Sequence, residues 1–277
     1  PELAFLFIHY DEPDNAALTV MAHANAWDHA QFIKEIIPKL HNTDISYKAV
    51  QFYLEEHPLL IVDLLTAVTP RVDHGRTVLL IKKLGHLPLC KPYLQAVQEK
   101  NIAIVNEALN QLYIDEEDYD SLRSSIDRFD QYDHIEMAKR LEKHEMLEFR
   151  RCAAYVYKNE GRWAESVELS KKDKLFRDAV QTAAESRKQD VAEDLLTFLI
   201  ESDLKECFAA CLYTCYDVIR PDVALELAWR NNVMDFVFPY IIQVTREYTS
   251  KVDKLMKDKE AAEKKKQKQA EGPAAFN

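Results

Sequence analysis

Between Glu145 and Asn232 the apolar positions write one amphipathic theme three times. Phe149, Phe176 and Phe208 each open a run with apolar residues four and eight positions on: Ala153 and Tyr157, Val180 and Ala184, Leu212 and Tyr216. That spacing is the single face of an α-helix. Each run is followed by a second helix, over Trp163–Lys171, Gln189–Glu201 and Asp222–Arg230. The openers are 27 (149 to 176) and 32 (176 to 208) residues apart. One such hairpin cannot bury its apolar stripe, whereas a neighbour of the same shape can cover it. The pattern therefore predicts stacked hairpins.

The remainder reads the same way, with a breaker every 10–15 residues or so, as short connections require. Residues 2–10 are densely apolar and resemble the second half of a hairpin. Pro13 opens a small-residue helix over Ala16–Ala26, and Trp27–Leu40 is expected to be one helix with Phe32, Ile33, Ile36 and Ile37 inward. Asn42 to Asp44 supply an N-cap for Ile45–Glu56. Leu59–Val68 is so apolar that cover on several sides is expected. Helices follow over Arg71–Lys83, with Gly85 as its terminator, Leu89–Glu99, Ile102–Tyr113 with Ile104 inward, Tyr119–Phe129 and Ile135–Lys143. After Asn232 the theme changes. Pro239 marks a kink or a helix start, and Ile241, Val244, Tyr248, Val252 and Leu255 recur at spacings of three and four. That is a narrow coiled-coil-like seam with no breaker to turn it into a hairpin. A Lys-, Glu- and Ala-rich stretch over 257–271 continues the helix without an apolar stripe, and Gly272-Pro273 ends it.

Composition narrows the class. Only 4 glycines occur in 277 residues, where average usage of about 7% would give about 19. The shortage argues against phosphate-binding glycine loops, hairpin-rich sheets and dinucleotide folds, and the chain is expected to be all-α. A formal net charge of −11 disfavours nucleic acid and anionic lipid as partners. Five Cys without framework spacing fit a reducing compartment. No apolar run approaches a membrane span, so no insertion is expected. The chain opens at Pro1 inside a helical pattern and without an initiator Met, which points to a piece of a longer protein.

Catalytic and metal chemistry are not suggested. His144-Glu145 begins like a zinc-protease motif, but Glu148 stands where the second His ligand is needed. Cys207, Cys211 and Cys215 share one helix face at i, i+4, i+8, a spacing unlike zinc or iron–sulfur sites and suited to a packed seam. The acidic run Asp115 to Asp118 lacks the glycine and oxygen spacing of a calcium loop. All nine His lie between His9 and His144 with no nucleophile partner, and are surface residues or pH sensors. No cofactor or metal is expected, and the chain is not expected to be an enzyme.

Several long stretches resemble the clathrin heavy chain family: AVQFYLEEHPLL (49–60), KPYLQAVQ (91–98), RLEKHEMLEFRRCAAYVYK (140–158), RWAESVEL (162–169), KECFAACLYTCYDVIRPDVALELAWRNNVMDF (205–236) and YIIQVTREYTSKVDKL (240–255). The resemblance runs from about residue 2 to 256. It implies a right-handed α-solenoid of short helical hairpins followed by a long carboxy-terminal helix. Residues 1–64 would end one repeat of the proximal leg, 65–208 would form the last repeat, and 209–277 the trimerisation hub. The implied role is a structural coat protein on the cytoplasmic face of coated pits and coated vesicles. Its implied partners are two further copies of itself, the clathrin light chain and other legs of the lattice. The tail motif of animal members (glutamine-leucine-methionine-leucine-threonine) does not occur in residues 272–277.

Within that resemblance, Cys207, Cys211, Cys215, Trp229, Phe236, Phe238, Ile241, Val244 and Tyr248 are the candidates for the trimer junction, although Cys207, Cys211, Cys215 and Trp229 could equally fill the last hairpin's own core. Light chains of the family are acidic, so Lys82, Lys83, Lys91, Arg123, Arg128, Lys139 and Arg140 are candidates for their docking strip. His57 stands at a leg turn, where it could tune lattice contacts with pH. The competing reading is an α-solenoid scaffold of a vesicle tethering complex, which need not trimerise.

Overall fold

Each of the three predicted hairpins folds as two helices joined by a short connection. In the computed structural model, residues 2–23 and 28–270 are described, with side chains through Lys264. Trp27, Ala24–Ala26 and Gly272-Pro273, which the sequence placed in or at the end of helices, lie outside the described residues. The described residues contain helices and no strand, and the architecture is an all-α solenoid of hairpins followed by one long helix. The chain divides into two compact units, Pro1–Met137 and Ala138–Asn277.

Unit 1 contains α1 (Glu2–His9), α2 (Pro13–Ala22), α3 (His29–Gln31), α4 (Thr43–Glu56), α5 (Ile61–Val68), α6 (His74–Leu84), α7 (Lys91–Gln98), α8 (Ala103–Asp115) and α9 (Tyr119–Arg128), and α10 (His134–Leu141) crosses into unit 2. The helices α2, α4, α6 and α8 pack in succession, and α5 and α7 form part of the opposing layer. Asn42, Asp73 and Asp118 cap α4, α6 and α9 by accepting backbone N–H groups, which satisfies donors a helix start leaves unpaired.

Three expectations are corrected here. The segment read as one helix to Leu40 is α3 followed by a π turn at Phe32–Ile36 and a 3-10 turn at Ile37–Lys39. Pro38 has no N–H to give and its ring crowds the carbonyl four residues back, so the regular ladder cannot pass it. Phe32, Ile36 and Ile37 are nonetheless buried. The run Leu59–Val68 is covered on one side only: Ile61, Leu64, Leu65 and Val68 are buried and Leu59 is 84% exposed. On α8, Ile104 is exposed, and Asn106 and Asn110 occupy the interior instead.

Unit 2 contains α11 (Leu147–Asn159), α12 (Trp163–Lys172), α13 (Phe176–Ser186), α14 (Gln189–Glu201), α15 (Lys205–Thr214), α16 (Pro221–Arg230) and α17 (Met234–Ala270). The contacts α12 to α14 to α16 make one layer, and α13 to α15 to α17 the other. Pro239 does not start a helix of its own but lies inside α17. Phe149 and Phe208 are fully buried, and Phe176 is half-buried against Phe198.

The turns explain how a glycine-poor chain makes so many hairpins. At Gly161 the N–H reaches Lys158 O at 3.0 Å, and the next N–H, of Arg162, reaches Tyr157 O at 2.9 Å. This Schellman pair needs a left-handed residue at its pivot, where glycine is strain-free. The same pair of bonds recurs around Lys174 (φ 59°), Asp203 (φ 56°) and Asn232 (φ 55°), none of which is glycine.

Candidate assembly surfaces

The root of α17 is built into the core of unit 2. Val233, Val237, Tyr240 and Val244 repeat at three or four and are buried, joining Phe208, Cys211, Leu212, Cys215 and Ile219 in one cluster. Tyr240 is fully buried, donates to Ile219 O at 3.3 Å, and meets the Tyr216 ring edge-on with centroids 5.4 Å apart. All five cysteines are free. The Cys211 thiol donates toward Cys215 Sγ at 4.0 Å, and that bond together with burial pushes its pKa up. Cys215 follows α15 and its Sγ lies 3.7 Å from Val180 O. Burial raises the Cys90 thiol to about 12. Buried thiols raised in this way, as Cys211 and Cys90 are, act as small apolar side chains.

The other face of α17 is open, along this root and beyond it. Phe238, Ile242, Tyr248, Val252, Leu255 and Met256 are exposed, with Tyr248 at 54% and Leu255 at 68%. The nine junction candidates therefore fall into three groups. Cys211, Cys215 and Val244 are buried by their own chain; Cys207, Phe236 and Ile241 are partly buried against the same core; Trp229, Phe238 and Tyr248 face outward. Met256 and Ile242, which the seam reading passed over, lie on the open face too. Their signals in the sequence were the i, i+4 steps from Phe238 to Ile242 and from Val252 to Met256.

The basic candidates are distributed over both units. Lys82 and Lys83 are exposed at the carboxy-terminal end of α6, where cations complement the helix dipole. Lys91 bonds Glu116, a hydrogen bond that raises the lysine's pKa, and sits 5.1 Å over the Tyr113 ring. Arg123 bonds Asp127 at 3.1 Å, and the Arg128 guanidinium lies 5.4 Å from the Phe129 ring centroid. Lys139 and Arg140, in unit 2, are exposed in the last turn of α10.

A groove of about 710 Å³ runs between α4 and α6 and includes one of these residues, Lys83. Lys48, Arg76 and Leu79 line it as well, with Arg76 stacked 4.1 Å over Tyr47 and 3.4 Å from Asp44. Arg76, Leu79 and Lys83 are a helical i, i+3, i+7 stripe that the sequence reading missed.

His57 does stand at the turn after α4, with its ring centroid 4.2 Å from that of His29. His29 Nδ1 is 3.0 Å from the Tyr53 hydroxyl, and burial followed by the His57 charge lowers the His29 pKa. Among the described residues, no three His, Cys, Asp or Glu side chains are grouped to hold a metal ion, and no helix is long and apolar enough to cross a membrane.

Known proteins match this sequence over most of its length. Residues 65–207 match the family described as a region in clathrin and VPS. The chain is 56% identical over 272 residues to the clathrin heavy chain of Dictyostelium discoideum, covering 98% of this chain and 16% of that one. It is 56% identical over 264 residues to clathrin heavy chain 1 of Arabidopsis thaliana, covering 95% of this chain and 15% of the relative. Against human clathrin heavy chain 2 the identity is 56% over 255 residues, 92% of this chain and 16% of the relative. The chain thus spans about a sixth of the length of these relatives, and the match extends through the hairpins into the root of α17. It belongs to the clathrin heavy chain family.

Proposed function

We propose that this chain is the proximal-leg and hub portion of a coat-forming heavy chain. In this reading its role is structural and not catalytic. Residues 1–64 and 65–208 serve as leg repeats, and residues 209–277 bring three copies together at a hub. Trp229, Phe238 and Tyr248 meet the neighbouring copies. Phe236, Ile241 and Cys207 border that contact, and Cys211, Cys215 and Val244 brace it from beneath. The assembled legs pack into a lattice on the cytoplasmic face of coated pits and coated vesicles, in endocytosis and intracellular transport. Lys82, Lys83, Lys91, Arg123, Arg128, Lys139 and Arg140 offer positive charge to an acidic light-chain helix along the leg.

The observation that carries this reading is the change at Asn232. Hairpins that cover one another give way to one 37-residue helix. Its first turns are locked into the core, while Tyr248, Val252 and Leu255 beyond them have their apolar surface in solvent. Apolar seams left open on a rigid helix favour association with another copy. Sedimentation equilibrium of the chain with and without residues 251–277 tests it. This cut leaves Tyr240 and Val244 in the core. A trimer that becomes a monomer places the junction on the open part of α17. A chain that is monomeric at every concentration rejects the hub assignment and favours the scaffold alternative.

A further inference from the structure

Three identical chains cannot close a ring through a patch that meets its own copy. Cyclic threefold symmetry needs two different patches on each chain, one facing the other on the next copy. Unit 2 carries two unmatched features of that kind. The first is a projection on α16. Ala224 and Ala228 of that helix are fully buried, and Leu225 and Trp229, four residues apart, stand exposed, with Trp229 70% accessible. A tryptophan left in solvent forgoes the largest apolar burial any side chain offers, and buried tryptophans anchor interfaces more often than most residues.

The second feature is a recess of about 320 Å³ between α13 and α15. Phe176, Val180, Cys207 and Ala210 give it apolar walls, and Gln181 and Glu206 bring polar atoms to its lining. Its volume is at the bottom of the roughly 300–1,000 Å³ range of small-molecule sites, so it suits one large side chain better than an organic ligand. The recess belongs to the α13–α15–α17 layer and Trp229 to the α12–α14–α16 layer. Being on opposite layers, the two are separated on one chain but accessible to different neighbours.

We propose that Trp229 of one copy inserts into the α13–α15 recess of the next. The ring fills the space over Phe176 and Val180, and the indole N–H, which needs an acceptor once buried, is taken by the Glu206 carboxylate or the Gln181 carbonyl. This rests on the trimeric reading above and adds which two surfaces meet.

The native Cys207 in the recess supplies the test. In the full chain, Trp229→Cys is treated with diamide, which accepts the two electrons and two protons released as two thiols join. A disulfide between copies is expected on a non-reducing gel, absent when Cys207→Ser is added and absent from Leu59→Cys, a still more exposed position in unit 1. Separately, Trp229→Ala is expected to weaken trimerisation at least about tenfold. If the native chain sediments as a trimer, yet no Cys207-dependent link forms and Trp229→Ala dissociates like the native chain, this inference falls and the trimeric reading stands. If the native chain is a monomer throughout, both fall.

Discussion

Lys100 Nζ lies 2.6 Å from His74 Nε2. An ammonium can only donate, so Nε2 accepts and the imidazole proton resides on Nδ1, which points at the Tyr93 hydroxyl 2.9 Å away. The neutral tautomer is therefore built into the contact of His74, at the start of α6, with Tyr93 and Lys100. Burial, and then the Lys100 charge, hold the His74 pKa below the ordinary histidine value, with Asp73 opposing.

The consequence for stability has a definite sign. A histidine with a depressed folded pKa is protonated first in the unfolded chain. Its contribution is complete above the unfolded value of about 6.5 and is lost as pH falls towards the folded pKa. His29, lowered by burial and by His57, adds in the same direction. Urea denaturation at about pH 7.5 and about pH 5.5 is expected to show a lower midpoint in acid. His74→Gln should flatten that dependence. A midpoint that rises on acidification would contradict the assignment.

Arg150 ties the start of α11 to the end of α12. Its Nε is 2.9 Å from both carboxylate oxygens of Asp173, and Nη1 donates to His144 O at 2.9 Å and Glu145 O at 2.6 Å. The Asp173 side chain is only 8% exposed. Removing one partner leaves that carboxylate desolvated and unpaired, so Arg150→Ala is expected to lose about 3 kcal/mol in chemical denaturation. Arg150→Lys should recover only part, because an ammonium cannot span the carboxylate and both carbonyls in one plane.

These two clusters mark the limit of what the sequence discloses. The six helices α11 to α16 follow from the runs opened by Phe149, Phe176 and Phe208 because a stacked hairpin repeats one apolar period. Asn106 was not legible as an interior residue. Its Nδ2 donates to Asn101 Oδ1 at 2.8 Å and Gln131 O at 2.9 Å, partners supplied by two loops that local periodicity does not see. Ile104 lost the interior position to it for that reason. Nor could spacing separate Cys211, buried by its own chain, from Trp229, left outside it. Both are apolar residues on helical stripes, and only the neighbouring helices decide which stripe is covered.

The turn chemistry gives a prediction of opposite sign at two positions. Lys174 holds φ 59° at its Schellman pivot, a conformation that costs an L-residue roughly 1–2 kcal/mol. Lys174→Gly removes that strain at the expense of backbone entropy and is expected to stabilise the chain by a few tenths to about 1 kcal/mol. Gly161→Ala should destabilise by about 1 kcal/mol. A Cβ there meets nothing closer than Trp163 Nε1 at 3.9 Å, so the penalty comes from φ 71° alone. Thermal melts of the two variants read both effects.

Tyr240 fixes where α17 leaves the core. Tyr240→Phe keeps the ring against Tyr216 and loses only the bond to Ile219 O, which predicts a loss of about 1 kcal/mol. Tyr240→Ala empties a fully buried site and should cost about 3–5 kcal/mol. Under the proposed hub it should also impair trimerisation, since the helix that carries the open seam would lose its seat. Denaturation midpoints and sedimentation on the same samples separate the two effects.

The open seam itself behaves differently from its root. Val252 and Leu255 are 50% and 68% exposed, so Val252→Asp with Leu255→Asp removes little intramolecular packing. A surface change of that kind shifts the stability of one chain by only about 0.5 kcal/mol. Between three parallel copies, the added carboxylates would instead be brought together in a closing interface, where unpaired buried charge is strongly disfavoured. The double variant is therefore expected to keep its helical circular dichroism at low concentration and to sediment as a monomer where the native chain is a trimer. Trimerisation at native concentration would show that Val252 and Leu255 stay in solvent in the assembly, and would confine the junction to Trp229, Phe238 and Tyr248.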